Sequence, residues 1–239
     1  MFEGKKIGVV IPAAGHGTRM GGSRIKQFLT IGGKPIVVHT IEKFQQSKEV
    51  DDIVLAAHHD FESELRSLVS EYNLSKVRQV VRGGKERQDS VWNGLLAIKD
   101  YNPDIVLIHD AVRPFINHQL ILESIQAAIV YEAAVVVVKP KDTVKMSVQN
   151  GFINQTPQRD NLWLAQTPQA FHFSLIMKAF KKAIDDGFYG TDDAALVERI
   201  GVSVKIIEGT YDNIKITTPD DLTVAEGILS RHLAQITRS

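Results

Sequence analysis

"VIPAAGHGTRMGGSRIKQF", residues 10–28, decides how the chain is read. An apolar, β-branched run gives way to four glycines and three cations between Gly15 and Lys26. Glycine after a buried strand lets the backbone approach a ligand and turns N–H groups inward, which suits phosphate. Alone, such a loop reads equally well as a tight turn. A P-loop needs a lysine after its last glycine; Gly17 and Gly22 have the spacing, but Ser23 stands in the lysine's place. A dinucleotide fingerprint is met by Gly15 and Gly17 and fails at Met20. The carboxylate expected about 20 residues on is also missing, since the second strand ends nearer Asp60. The kinase-type loop fails at Met20 too, and no HRD or DFG follows. What distinguishes the stretch is Arg19 with Lys26, two cations beside open amides that suit a polyanion such as a triphosphate.

Outward from this loop, short β-branched runs alternate with helical segments. Strands are predicted at Ile7–Ile11, Asp52–Ala57, Val77–Val81, Ile105–His109, Ala134–Val138 and Val202–Ile207. Their near-continuous Val and Ile content implies burial on both faces, as in a largely parallel sheet. Pro35 is expected at the first helical position ahead of IVVHTIEKF, and Asp60 as the cap of a helix whose Phe61, Leu65, Leu68 and Tyr72 share a face. Thr218-Pro219-Asp220-Asp221 reads as a capping box before the last helix. The pattern is that of a doubly wound α/β fold, with ligands at the carboxyl ends of the strands. The whole chain, 1–239, reads as one domain carrying an arm at about 139–162.

That arm breaks the rhythm. It has no helical period, and Asn150-Gly151 is a hairpin-turn signal between VKMSV and FINQ. A lone hairpin is marginal in water, so it is expected to pack on a second copy of the chain; folding back on its own domain is the alternative.

Composition sets the outer bounds. The chain is 44% hydrophobic and 23% charged, with formal net charge zero, which argues against binding to nucleic acid or an anionic membrane surface. Any bound anion must therefore meet locally placed cations. The absence of cysteine removes disulfides, thiolate metal sites and cysteine nucleophiles. The apolar run near the start is only about five residues, too short for a signal segment, and no stretch approaches a membrane span; a cytoplasmic location is expected.

Three further stretches carry candidate chemistry. "RGGKERQDSV" (82–91) sets a glycine pair before a helix start near Ser90, for close approach to a flat base or for an ordinary turn. "VLIHDAVRPF" (106–115) ends a buried strand at Asp110 with Arg113 close by. A carboxylate there could hold Mg²⁺ on substrate phosphates, or simply cap the next segment. Asp212 and Lys215 repeat the pairing of acid and base before the final helix, where a structural salt bridge is the plain alternative.

In order along the chain, PAAGHGTRM…KQF, GGKERQDSV, HDAVRPF, KDTVK, LAQTPQAF, GTDDAALVE and DNIKITTPDDL resemble the 2-C-methyl-D-erythritol 4-phosphate cytidylyltransferases of the non-mevalonate isoprenoid pathway. The likeness runs from about residue 6 to 230, and seven ordered motifs make it specific. It implies the nucleotide-diphospho-sugar transferase type of α/β fold and a homodimer clasped by a β-hairpin arm. It implies that Pro12, Ala13, Ala14 and Gly15 bind CTP, with Gly83 and Ser90 facing cytosine and Ala111 near the ribose. Arg19 and Lys26 would neutralise the phosphates, and Asp110 would bind Mg²⁺. Thr143 and Arg159, from the partner's arm, would reach the acceptor phosphate, and Thr191, Asp212 and Lys215 would complete its pocket. Arg113 matches the motif and is grouped with the acceptor side. Ile25 departs from the family, which often has proline before the loop lysine. The implied reaction moves CMP from CTP to a polyol phosphate. A sister activity on D-ribitol 5-phosphate shares the front motifs, and a non-catalytic nucleotide sensor or an NAD-dependent enzyme are the remoter readings.

Overall fold

Alternation along the first strand divides the interior in two. In β1 (Ile7–Ala13), Ile7, Val9, Ile11 and Ala13 face one hydrophobic cluster and Val10 faces another. The period of two belongs to an extended strand covered on both sides. The computed structural model describes residues 1–15, 26–148 and 151–236.

Along the chain β1 is followed by a short antiparallel pair, β2 (Thr30–Ile31) and β3 (Lys34–Pro35), then α1 (Ile36–Gln46) and β4 (Asp52–Ala57). Next come α2 (Glu62–Glu71), β5 (Val77–Arg82), α3 (Arg87–Ile98), β6 (Ile105–Ile108), α4 (His118–Tyr131) and β7 (Ala133–Val138). The remainder holds β8 (Met146–Ser147), β9 (Ile153–Gln155), β10 (Leu164–His172), α5 (Phe173–Asp185), α6 (Asp193–Arg199), β11 (Lys205–Glu208) and α7 (Pro219–Ile236). The described residues form a seven-stranded sheet ordered β11-β7-β10-β6-β1-β4-β5. β10 runs antiparallel to β6 and β7, and the other pairings are parallel.

Helices cover both faces. Val38, Ile41 and Phe44 of α1, Leu65 of α2 and Ile121 and Ile125 of α4 fill the first cluster. Val91, Leu95 and Ile98 of α3, Phe180 of α5 and Leu196 of α6 fill the second. Each such fully buried side chain stabilises the fold by about 1.5–3 kcal/mol before the entropy of ordering it is charged. A third, smaller cluster seats Ala225 and Ile228 of α7 against Ile36, Phe115 and Ile216. It thereby anchors the segment that carries Lys215. Among the described residues no helix is long and apolar enough to cross a membrane.

The doubly wound, mostly parallel sheet agrees with the sequence pattern, and four details differ. Pro35 is the residue before α1, at φ −56° and ψ 138°, not its first turn. Asp60 does not cap α2; the His58 ring accepts the Asp60 N–H at the start of a 3₁₀ turn, and α2 begins at Glu62. The last sheet strand is Lys205–Glu208 instead of Val202–Ile207, because Val202 and Val204 pack on the second cluster before the sheet begins. β10 has no counterpart among the predicted strands: Gln166, Thr167, Pro168 and Gln169 hide a strand that the sheet buries at its centre. The capping box is present, with Thr218 N–H on Asp221 Oδ2 at 2.8 Å and Asp221 N–H on Thr218 Oγ1 at 3.4 Å. In the arm, Met146 pairs with Gln155 and Ser147 with Ile153; Asn150 lies outside the described residues.

Helix α3 approaches β1 closely, since a Cβ built on Gly94 would stand 2.4 Å from Val10 Cγ1. Gly94→Ala is expected to cost about 1–3 kcal/mol of stability by overpacking and so to lower the urea midpoint, despite alanine's better helix propensity. An unchanged or raised midpoint would show that this contact yields freely.

Candidate active site

The carboxyl ends of β1, β5 and β6 open into one cleft of about 250 Å³. Its first wall is the strand end itself, Pro12, Ala13, Ala14 and Gly15. Gln27 Nε2 donates to Ala13 O at 2.6 Å, tying the residues after the glycine loop back to the strand, and Lys26 lines the same cleft. The second wall is the turn after β5. Gly83 N–H donates to Ala57 O at 2.7 Å, and a Cβ there would lie 2.4 Å from Ala14 Cβ. Only glycine lets these two loops approach so closely. Gly84 N–H donates to Ser90 Oγ at 3.0 Å, and the Ser90 hydroxyl donates to Glu86 O at 3.1 Å. Ser90 thus shapes the turn while facing the cleft at the first turn of α3. The N-terminal end of a helix favours negative charge.

The third wall is electrostatic. Asp110, directly after β6 and buried, accepts Arg87 Nε at 2.9 Å and Lys215 Nζ at 2.8 Å, with Arg113 Nε at 3.7 Å. Arg87 reaches on to Asp193 Oδ2 at 2.8 Å. Three cations therefore share two carboxylates, which leaves the cluster net positive when all are ionised. Burial by itself would raise the Asp110 carboxyl, but Arg87, Lys215 and Arg113 outweigh it and hold it well below the usual range. Asp193 goes the other way, pushed up by burial against the pull of Arg87. Burial opposes the charge of Arg87, yet Asp193 and Asp110 together raise its pKa.

A chain of neutral hydrogen bonds supports Asp110 from behind. Its backbone N–H donates to Thr167 Oγ1 at 3.1 Å, which lies 3.0 Å from His109 Nδ1. His109 Nε2 meets Arg113 O at 3.0 Å. One protonation pattern satisfies every member: Thr167 donates to Nδ1 and Nε2–H donates to the carbonyl. Arg113 Nη1 donates to Asn213 O at 2.8 Å, and Asn213 Nδ2 donates to Thr167 O at 2.8 Å.

Comparison with known proteins bears on what this cleft serves. The sequence profile of the family described as "IspD: 2-C-methyl-D-erythritol 4-phosphate cytidylyltransferase" matches residues 7–231. The chain belongs to that family. The enzyme of this name from Geobacillus kaustophilus is 47% identical over 227 residues, covering 95% of this chain and 98% of that one. The one from Syntrophus aciditrophicus is 45% identical over 232 residues, covering 97% and 99%. Among solved structures, the 4-diphosphocytidyl-2C-methyl-D-erythritol synthase of Anaerococcus prevotii superposes with a TM-score of 0.84 at 35% identity, covering 95% of this chain and all of that one. The Francisella tularensis cytidylyltransferase gives 0.79 at 32% identity, covering 93% and 99%.

Measured against the family motifs, the cleft gathers Pro12, Ala13, Ala14, Gly15, Lys26, Ser90, Asp110, Ala111 and Lys215. Gly83 is one residue to the side, lining an adjoining pocket with Ala14 and Gly84. Arg113 does not line the cleft as an acceptor ligand would. It is buried behind Asp110, and its hydrogen bond goes to Asn213. Asp212 does not line the cleft either, and is held by Arg231 Nη2 at 2.6 Å and His232 Nε2 at 3.1 Å. Thr191 is exposed just ahead of α6 and outside the cleft. Thr143 and Arg159 are exposed on the arm, with Arg159 Nη1 donating to Lys141 O at 3.1 Å. Arg19 lies outside the described residues. Arg87, Asp193, His109 and Thr167 were not singled out as site residues from the sequence. One signal was available for Arg87: a cation in the first turn of α3 opposes the helix dipole, so something must hold it there.

Arg87→Met leaves Asp110 and Asp193 short of a partner, and a loss of about 3–5 kcal/mol in chemical unfolding is expected. Arg87→Lys should recover part of that loss. His109 is neutral in the fold, its pKa pushed down to about 4, chiefly by burial. Its contribution to stability is complete above the ordinary value of 6.5 and is lost as pH falls toward about 4, because the unfolded ring takes up the proton first. Urea midpoints taken across that range should fall more steeply for the native chain than for His109→Gln; parallel curves would refute the assignment.

Proposed function

We propose that this chain transfers CMP from CTP to 2-C-methyl-D-erythritol 4-phosphate, releasing pyrophosphate. The observation that carries this is the meeting of three separate motifs in one cleft: the amide-lined end of β1, the paired glycines before α3, and Asp110 with its cations. The family's curated members carry the same activity in their names. The ribitol-phosphate reading has no such support.

The acceptor is a phosphomonoester with a second pKa of about 6, so it is already an oxygen nucleophile near neutral pH. No general base is required. Its oxygen attacks the α-phosphorus of CTP in line, the bond to the β-phosphate oxygen breaks, and pyrophosphate leaves with the electron pair. Two polyanions must be held together, so the protein contributes position and positive charge. Backbone amides at Ala13 to Gly15 receive phosphate, Ser90 and the Gly83–Gly84 turn receive the base, and Ala111 sits by the ribose. Lys26, with Arg19 from the loop, neutralises charge as the anhydride breaks. Lys215 aims the incoming phosphate.

The donor set fits Mg²⁺. Asp110 is an ionised carboxylate at the cleft wall, and a carboxylate has about four lone-pair sites, more than its cations occupy. Bound there, the ion would screen the triphosphate. We also place the enzyme in the cytoplasm as a homodimer. Phe152 is 74% exposed and Ile153 63%, apolar surface on a two-stranded arm that a second copy would cover. Thr143 and Arg159 would then enter the partner's acceptor pocket, which explains their distance from the cleft of their own chain.

Pyrophosphate release tests the reading. Lys26→Ala is expected to lower kcat about 10²–10³-fold with an unchanged melting temperature. Chelator should abolish turnover and Mg²⁺ restore it, and ribitol 5-phosphate should replace methylerythritol phosphate poorly. Full turnover in Lys26→Ala, or equal use of both acceptors, would refute it.

A further inference from the structure

Directly after β4 stands His58-His59-Asp60, a sequence to which neither the cleft nor the reaction assigns a role. The three side chains converge. His58 Nδ1 lies 3.2 Å from His59 Nδ1 and 3.6 Å from Asp60 Oδ2, while His59 Nδ1 lies 3.3 Å from Asp60 Oδ1. Among the described residues this is the group of imidazoles and carboxylates close enough to share one ion.

The size of the triangle selects the ion. A four-coordinate Zn²⁺ with bonds of about 2.0–2.1 Å needs donor atoms about 3.3–3.4 Å apart, the edge of the corresponding tetrahedron. The Nδ1–Nδ1 edge of 3.2 Å and the His59 Nδ1–Asp60 Oδ1 edge of 3.3 Å match that value, and His58 Nδ1 lies 3.6 Å from the other carboxylate oxygen, Oδ2, so a small turn of the carboxylate completes the set. Two imidazole nitrogens and one carboxylate suit Zn²⁺ or Co²⁺, whereas Mg²⁺ prefers an all-oxygen, hydrated shell. We propose that His58, His59 and Asp60 form a transition-metal site of the Zn²⁺ class, separate from the carboxylate site at Asp110.

The surroundings favour a defined geometry. The His58 side chain is 11% exposed, and its ring packs against Phe61, which rests on Phe28. The His58 and His59 rings stand at 88° to each other, with centroids 4.2 Å apart. The metal competes with the Nδ1–Nδ1 hydrogen bond and with the Asp60 N–H donated to His58 Nδ1 at 3.3 Å. Binding puts both rings in the Nε2–H form, so the bridging proton is lost to solvent or to Nε2. The fourth position is left to water or an anion. His58 and His59 line a pocket with Arg82 and Lys85, whose charge favours the anion. That pocket includes Ala14, Gly83 and Gly84, so the ion would sit beside the nucleotide cleft without sharing its acid.

The test uses chelator-treated full-length protein titrated with Co²⁺ in the absence of nucleotide. A visible ligand-field spectrum of four-coordinate intensity is expected, saturating at one ion per chain, displaced by Zn²⁺ and insensitive to excess Mg²⁺. His59→Ala and Asp60→Ala, both at exposed positions, should each weaken Co²⁺ at least tenfold while leaving the thermal melt unchanged. A six-coordinate spectrum, displacement by Mg²⁺, or undiminished binding in both variants would overturn the proposal. None of these readouts depends on turnover, so the cytidylyltransferase reading stands or falls separately.

Discussion

The contact between Asp110 and its cations organises the rest of this molecule. A carboxylate out of water is costly unless its charge is met, and here it is met from three directions. Arg87 comes from the start of α3, Lys215 from the segment before α7, and Arg113 from the turn that follows β6. Two of the cations are also committed elsewhere: Arg87 to Asp193 and Arg113 to the Asn213 carbonyl. Removing the acid would leave neighbouring positive charges to repel one another, and removing a cation would leave the acid exposed to its own desolvation. The cluster is therefore both the seam that joins the two halves of the chain and the charged wall of the cleft. A polyanion entering the cleft would meet cations already oriented, leaving little reorganisation for a reaction there.

Sheet topology makes that convergence possible. β1, β4, β5 and β6 all end on the same side, so the loops after residues 13, 57, 82 and 108 face one another. β10 runs the opposite way between β6 and β7, which carries Thr167 beneath Asp110. The hydrogen bonds from Asp110 through Thr167 and His109 to Arg113 are neutral throughout. Such a chain positions an acid without competing for its charge.

The outer parts of the molecule are built on different physics. The arm is stabilised within its own chain by cation–aromatic contacts, Lys139 over Trp163 at 3.8 Å and Lys141 over Tyr211 at 4.3 Å, while its tip keeps apolar side chains in water. The base of the arm is thus held in place and its tip is available to another surface.

Composition, periodicity and motif order were enough for much of this. Buried β-branched runs defined the parallel sheet, because a strand covered on both faces has no reason to carry polar residues. The glycines at 83 and 84 marked where backbone must come close to something, since no other residue tolerates such contacts. The tertiary structure decided what distance in sequence conceals. Arg87 and Asp193 are 106 residues apart, and nothing local in either says they share a charge. Arg113 and Asp212 look like ligands in their motifs, and only packing shows that each is already held by another part of the chain. β10 carries no strand signal because its two glutamines and Thr167 are satisfied by long-range hydrogen bonds, so their burial leaves no hydrophobic trace. Short-range order comes from patterns a sequence displays, whereas the pairing of buried charges depends on which ends the sheet brings together.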